Sequence, residues 1–436
     1  LIASAIALVI MTGVASLFGV LGATVSQSQA IAALNGRLRS TAWQLRQDLT
    51  GVTVELVPWT RPESNSGYFE LLEGPQRDAT LALASGGASN IEGDTDDTLL
   101  FTTRAVGGPF VGRYDTGTIE SDCAEVAWFC REMGTQPISG TSTRFYNLYR
   151  RQLLVMNYVG RAPFFNGTAA ASVPVASLVS GATPLYDLSL RLDGAGQVVP
   201  NSLADLTKRE NRCFLRGNAS IRSGTFPFAV LTDAGGRLPL NATFDDTDRV
   251  WEDVILTNVI AFDVRVFDPG ARAEVVATGT TRYPGEPGYD VATAATGTGA
   301  RGAYVDLGWG GGSATAITSA ASWPPSGTTA FQTAGVQVRN ATTNSTLPVT
   351  TYDTWSLHYE FNGVDEDGDG LVGLVDEGTD GVDNDSPPNV PDDPAEYETS
   401  PPYPVPLRGI EVRIRCYEPT SKEIRQITVR HTFVKK

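Results

Sequence analysis

From Leu1 to Val25 the chain reads LIASAIALVIMTGVASLFGVLGATV, with no charged residue, and nothing else in it restricts folding as strongly. Coiled as an α-helix at about 1.5 Å per residue, the run covers the roughly 30 Å hydrocarbon core of a bilayer. It can therefore span a membrane. The first charge is Arg37. A cleaved signal peptide has a shorter apolar core, a basic leader and a small-residue cleavage site followed by a break in composition. Here the helical pattern continues instead.

Ile31, Leu34, Leu38, Ala42, Leu45 and Leu49 recur at steps of three and four, while Arg37, Arg39, Gln44, Arg46 and Asp48 take the other faces. The pattern stops at Gly51, read as a C-terminal cap. The alternation Val52-Thr53-Val54-Glu55-Leu56-Val57 then reads as a strand ended by Pro58. One helix of about 50 residues, roughly 75 Å, is expected. Its first half is apolar all round and needs lipid or other apolar helices on every side, whereas its second half needs a single partner face.

The run LIASAIALVIM, the periodicity after it and a β-rich remainder resemble a mature type IV pilin or type II secretion pseudopilin, nearest to the large minor-pseudopilin-like proteins of the J or W type. That resemblance implies a leader peptidase that cuts before the apolar helix. It also implies mature helices that leave the membrane and pack together as a filament core. Leu1, Ile2, Ile6, Leu8, Val9, Leu17, Phe18, Val20 and Leu21 would line that core. The family's cleavage motif and its glutamate near the mature amino terminus would lie upstream of Leu1. Gly13, Gly19 and Gly22 fall where related helices loosen on assembly, or where small residues let helices pack closely; both readings stand. The plainer alternative for residues 1–50 is a single-pass anchor, which needs no amphipathic continuation for a further half-helix.

Beyond the helix, 45 Gly and 26 Pro against only 3 Met favour short strands joined by many turns. Strand patterns fall at Gly67–Leu72, Thr98–Thr103, Phe145–Val159, Tyr186–Leu192, Asp253–Phe267 and Gly302–Leu307. Asp253–Phe267 runs into the turn Asp268-Pro269-Gly270. Leu407–Tyr417 repeats that grammar and returns as Glu423–Phe433, a closing β-hairpin. The expected fold class is α+β: a long N-terminal helix packed on an antiparallel β-rich head, in which those two strand-turn units are neighbours. The expected divisions are the helix 1–50, the head 51–361, an acidic insert 362–398 and the hairpin 399–436. Inserts such as Thr278–Thr298 and Gly310–Thr329 are too poor in apolar residues to form a core and should lie on the outer surface.

The formal charge of −16 repels phosphate backbones, which excludes nucleic acid as a partner class. Cys123, Cys130, Cys213 and Cys416 show no metal spacing, and His358 and His431 are the only histidines. In an oxidising compartment Cys123 could bridge Cys130 and Cys213 could bridge Cys416; buried free thiols are the alternative for the second pair. There is no GxSxG, HExxH, P-loop or dinucleotide fingerprint, and the chain does not read as an enzyme. Asn-x-Ser/Thr motifs at Asn166, Asn218, Asn241, Asn340 and Asn344 are short enough to arise by chance.

One stretch carries a chemical signature. Asp365-Glu366-Asp367-Gly368-Asp369-Gly370-Leu371-Val372-Gly373-Leu374-Val375-Asp376 puts carboxylates at the first, third, fifth and twelfth positions of a calcium loop. Glycine stands at the sixth, where the backbone must bend sharply. The Leu371 carbonyl can add an oxygen, and Asp376, with Glu377 beside it, closes the sphere. Asp380, Asp383 and Asp385 could bind a second ion or complete the first. Hard oxygen ligands select Ca²⁺ as the expected cofactor.

Three functions follow as expectations. The first is a filament of identical subunits, with other pilins as further partners and inner-membrane machinery as a partner before assembly. The second is a minor or tip subunit of a secretion pseudopilus. The third, from another class, is a membrane-anchored adhesin. For the filament, the expected location is the inner membrane first and the cell surface afterwards.

Overall fold

The computed structural model describes residues 2–56, 64–73, 91–114, 117–138, 141–155, 187–192, 198–207, 211–212, 252–276, 279–284, 289, 299–307, 338–340, 345–347, 350–354 and 406–434. Helix α1 (Ile2–Thr50) comes first. It is followed by β1 (Phe69–Glu73), β2 (Thr98–Arg104), a small hairpin of β3 (Phe110–Tyr114) and β4 (Gly117–Ser121), and a long one of β5 (Cys123–Ile138) and β6 (Thr141–Val155). A second small hairpin, β7 (Leu190–Leu192) with β8 (Val198–Pro200), precedes the longest strand, β9 (Glu252–Arg272). Then come β10 (Glu274–Val275) with β11 (Thr281–Arg282), β12 (Arg301–Val305), β13 (Val338–Asn340) with β14 (Ser345–Leu347), and β15 (Thr350–Asp353). The closing hairpin is β16 (Gly409–Glu418) and β17 (Glu423–Thr432).

Nine strands form one antiparallel sheet in the order β15-β1-β2-β5-β6-β9-β16-β17, with β12 added on β9. The α+β class expected from sequence is therefore present. So are the closing hairpin and its pairing with the long strand: Ile410 lies opposite Val266 and Ile414 opposite Phe262. Two local expectations change. Residues 52–56 contribute an isolated bridge, Val52 to Thr103, and not a strand. Asp268-Pro269-Gly270 does not end β9, which runs on to Arg272 while pairing with β12 across a register shift.

Strand β5 was not legible as a strand. Its residues from Cys123 to Arg131 are buried without interruption, so the polar-apolar alternation that marks a half-exposed strand is missing. On one face Trp128 meets the helix. On the other, Glu125 accepts hydrogen bonds from Tyr68 Oη (2.7 Å) and Ser189 Oγ (2.8 Å). A buried guanidinium, Arg212, donates to the Leu206 and Thr207 carbonyls and ties them to the sheet through Glu70 (2.8 Å) and Asp353 (2.7 Å).

The carboxyl half of α1 lies on the sheet, mainly against β17, with β16, β2 and β9 also in contact. Leu34, Leu38, Ala42, Leu45 and Leu49 are buried there, and Ile31 is partly so. Burying the four leucines stabilises the docking by on the order of 10 kcal/mol. Asp48 departs from the face assigned to it by periodicity: it is buried. Its carboxylate takes Arg150 in a fork (Nε to Oδ2 2.7 Å, Nη2 to Oδ1 2.9 Å), the Trp128 indole N–H (3.0 Å) and the Gln44 amide (3.2 Å). A charge can stay inside the core on these terms because its oxygens are hydrogen-bonded and its partner is bidentate.

Gly51 does end the helix, for a reason other than a left-handed cap. A Cβ there would stand 2.1 Å from the Arg104 carbonyl oxygen, where β2 crosses the helix end. The Arg104 N–H donates to the Gly51 carbonyl at 2.7 Å. Only the absence of a side chain allows that approach.

Candidate functional site

Two features stand out chemically, and the first is the amino half of α1. Each large apolar residue from Ile2 to Val25 is exposed, from 47% at Val14 to 80% at Ile2. The helix is unbroken through Gly13, Gly19 and Gly22, and none of the three has a neighbour within 4 Å of its Cβ position. The two threonines of this half turn their hydroxyls back onto the helix: Thr12 Oγ1 donates to the Leu8 carbonyl (2.8 Å) and Thr24 Oγ1 to that of Val20 (2.9 Å). A surface with its polar groups spent internally suits lipid or apolar neighbours. Ser26-Gln27-Ser28-Gln29 then forms a polar collar before the docked half begins.

Ile2, Ile6, Leu8, Val9, Leu17, Phe18, Val20 and Leu21, expected in a filament core, all belong to this exposed half; Leu1 lies outside the described residues. Their side chains leave the helix in every direction. Twelve large apolar side chains are exposed between Ile2 and Val25. At roughly 1.5–3 kcal/mol for burying each, and with part of each already covered, on the order of 20 kcal/mol of transfer free energy is held back in water. That exceeds the whole stability of an ordinary domain, about 5–15 kcal/mol. This helix is the one described element long and apolar enough to cross a membrane.

The second feature is a knot of buried carboxylates where β1, β2 and β9 meet. β9 bends at Asn258, whose φ of 56° puts it in the left-handed region, and the pairing registers on both its edges shift near that point. Past the bend β6 leaves, and the run before β2 takes its place: Gly93 N–H donates to the Ile260 carbonyl (2.7 Å) and Phe262 N–H to that of Asp94 (2.6 Å). Leu72 opposite Thr98 brings Glu73 alongside Asp97. One carboxylate oxygen each of Glu73, Asp94 and Asp97 then lies within 4.8 Å of the others, and all three residues are buried.

Asp97 Oδ2 accepts the Val264 N–H at 2.6 Å, whereas its Oδ1 has no hydrogen-bond partner. Asp263 and Asp306, also buried, lie close enough for their charges to act on Asp97, and Arg265 contacts both, at 2.9 and 3.1 Å. Burial, and after it the charges of Asp97, Asp96, Glu73 and Asp263, push the Asp94 carboxyl well above the usual carboxylate range. Asp97 is pushed up in the same way by burial, then by Asp263 and Asp96. No part of this knot was singled out from the sequence. Its only local trace is the short run Asp94-Thr95-Asp96-Asp97, which reads as a turn until β1 and β9 close on it.

The other expected site residues divide in two. Asp365, Asp367, Asp369, Leu371, Asp376, Glu377, Asp380, Asp383, Asp385 and Cys213 lie outside the described residues. Cys123 and Cys130 are described, and the bridge between them is corrected: both are free buried thiols on β5. Seven residues of extended strand separate them by about 23 Å, far beyond disulfide reach. Cys416 is also a buried thiol on β16, and its expected partner, Cys213, lies outside the described residues. Burial pushes Cys416 up to about 12, and burial together with Cys416 pushes Cys130 up, so neither is primed as a nucleophile.

These features define an α+β protein with an N-terminal apolar helix compatible with membrane anchoring and a large antiparallel sheet. Comparison with protein-family models, with curated proteins and with solved structures finds no match to the chain.

Proposed function

We propose that the chain is the structural subunit of an extracellular filament of the type IV pilus or pseudopilus kind, polymerising through α1, and not an enzyme. One observation supports this reading above the rest. A single unbroken helix is core to the head over its carboxyl half and bare of any cover over its amino half. Lipid covers the bare half first. In a filament, identical helices replace lipid, in a heterologous contact that repeats without closing. The partners are then copies of the same chain, other pilins and the inner-membrane assembly machinery, and the product lies at the cell surface. Ca²⁺ at residues 365–376 is part of the same proposal, resting on the loop spacing alone.

The test is electron microscopy of material sheared from producing cells, comparing the native chain with a Leu17→Ala/Phe18→Ala variant. Both should enter the membrane, since an uncharged apolar run remains. Fibres built mainly from this chain, reduced at least about tenfold in the variant, are expected, because losing two large side chains per contact costs several kcal/mol. A trace presence in fibres of another protein would favour the minor or tip subunit. A chain that never leaves the bilayer and binds cells or glycans through its head would favour the anchored adhesin.

A further inference from the structure

We propose that Glu73, Asp94 and Asp97 hold a buried divalent cation, Ca²⁺ in the first instance, where β1 and the run before β2 meet β9. The site is separate from the acidic stretch at 365–376 and independent of the filament reading.

Geometry and chemistry both point this way. A cation with Ca–O distances of about 2.3–2.6 Å draws its ligand oxygens to within about 5 Å of one another, and these three all lie within 4.8 Å of each other. The donors are all carboxylate oxygens, which favour hard cations over zinc or copper. Carboxylates this close and this deeply buried cannot all carry charge unless a cation or protons share the space. A proton on Asp97 Oδ1 would need an acceptor, and that oxygen has no hydrogen-bond partner although the side chain is fully buried. The other Asp97 oxygen already accepts the Val264 N–H, so Oδ1 is the oxygen left to serve a cation. Asp306 also keeps an oxygen, Oδ2, without a hydrogen bond, and its charge acts on Asp97. Ca²⁺ suits a dry cage of several carboxylates better than Mg²⁺, which sheds its waters reluctantly.

The position gives the ion a structural task. It would bind the end of β1, the run before β2 and, through Val264, the bent half of β9, three segments whose mutual approach otherwise meets carboxylate repulsion. Folding and binding would then be one event.

The experiment uses the full chain in detergent micelles, with the acidic stretch disabled by Asp365→Asn, Asp367→Asn, Asp369→Asn, Asp380→Asn, Asp383→Asn and Asp385→Asn so that neither candidate site in it can supply the signal. Metal content is read by mass spectrometry after desalting, and melting is followed with Ca²⁺ or with chelator. The loop-disabled chain should retain about one Ca²⁺, and chelation should lower its melting temperature by about 5–10 °C. Adding Asp97→Asn should abolish both. A loop-disabled chain that carries no divalent ion and melts identically in Ca²⁺ and chelator overturns the proposal, as does an Asp97→Asn variant that keeps ion and response. If Asp97→Asn does not fold, the metal content and chelator response of the loop-disabled chain decide alone.

Discussion

Asp48 shows how a single side chain can contradict its own helix pattern and still be the residue that fixes the helix in place. Periodicity groups it with Arg37, Arg39, Gln44 and Arg46 off the apolar stripe, yet its carboxylate is closed in by Arg150, Trp128 and Gln44. The pattern misleads because it counts apolar residues, and a buried ion pair is invisible until the partner strand is known. Removing one partner leaves the other charge buried, so Asp48→Ala should destabilise the head by about 3–5 kcal/mol, measured by denaturant unfolding in detergent. The double variant Asp48→Leu/Arg150→Met should recover much of that loss, because apolar replacement of both groups removes the desolvation penalty. The cysteines teach the same lesson in reverse. Their count suggested a bridge, while an extended β5 keeps Cys123 and Cys130 apart whatever the redox state.

Among the elements, α1 and the closing β16–β17 hairpin were readable because each is specified by neighbours in sequence. A three-and-four repeat marks the one, and alternation about the turn Glu418-Pro419-Thr420-Ser421 the other. β5 was not, since burial on both faces erases the period. The bend in β9 was not either. It depends on Asn258 taking φ 56°, a conformation that asparagine tolerates and that β-branched residues do not. Asn258→Val should therefore cost about 1–2 kcal/mol or more, while Asn258→Gly should stay close to neutral, a contrast that thermal melting of the two variants reads directly. A larger effect is expected if the bend also sets the spacing of the carboxylate knot, since the strand segments beyond it carry Asp263 and Val264.

At the scale of the whole molecule, the division that matters lies inside α1 and not at its end. Leu34, Leu38, Ala42, Leu45 and Leu49 belong to the core of the head, whereas everything described before the collar at 26–29 is exposed. A chain beginning at Gln29 should be soluble, folded and monomeric by size-exclusion chromatography. One beginning at Gly51 lacks the layer that covers β16 and β17 and should aggregate or fail to fold. The same partition explains why a soluble head for binding assays has to keep the second half of the helix.

By itself the sequence determined an uncharged helix long enough to cross a bilayer, an amphipathic continuation, a β-rich remainder of acidic character and its final hairpin. All of these are set by residue spacing within a window of a few turns. Only the tertiary structure decided which polar groups go inside: Asp48 against Arg150, Glu125 under Tyr68, and Glu73 beside Asp94 and Asp97. The physical reason is that hydrophobic periodicity is a local property of the chain, whereas the cost of burying a charge depends on partners that antiparallel pairing brings in from distant positions.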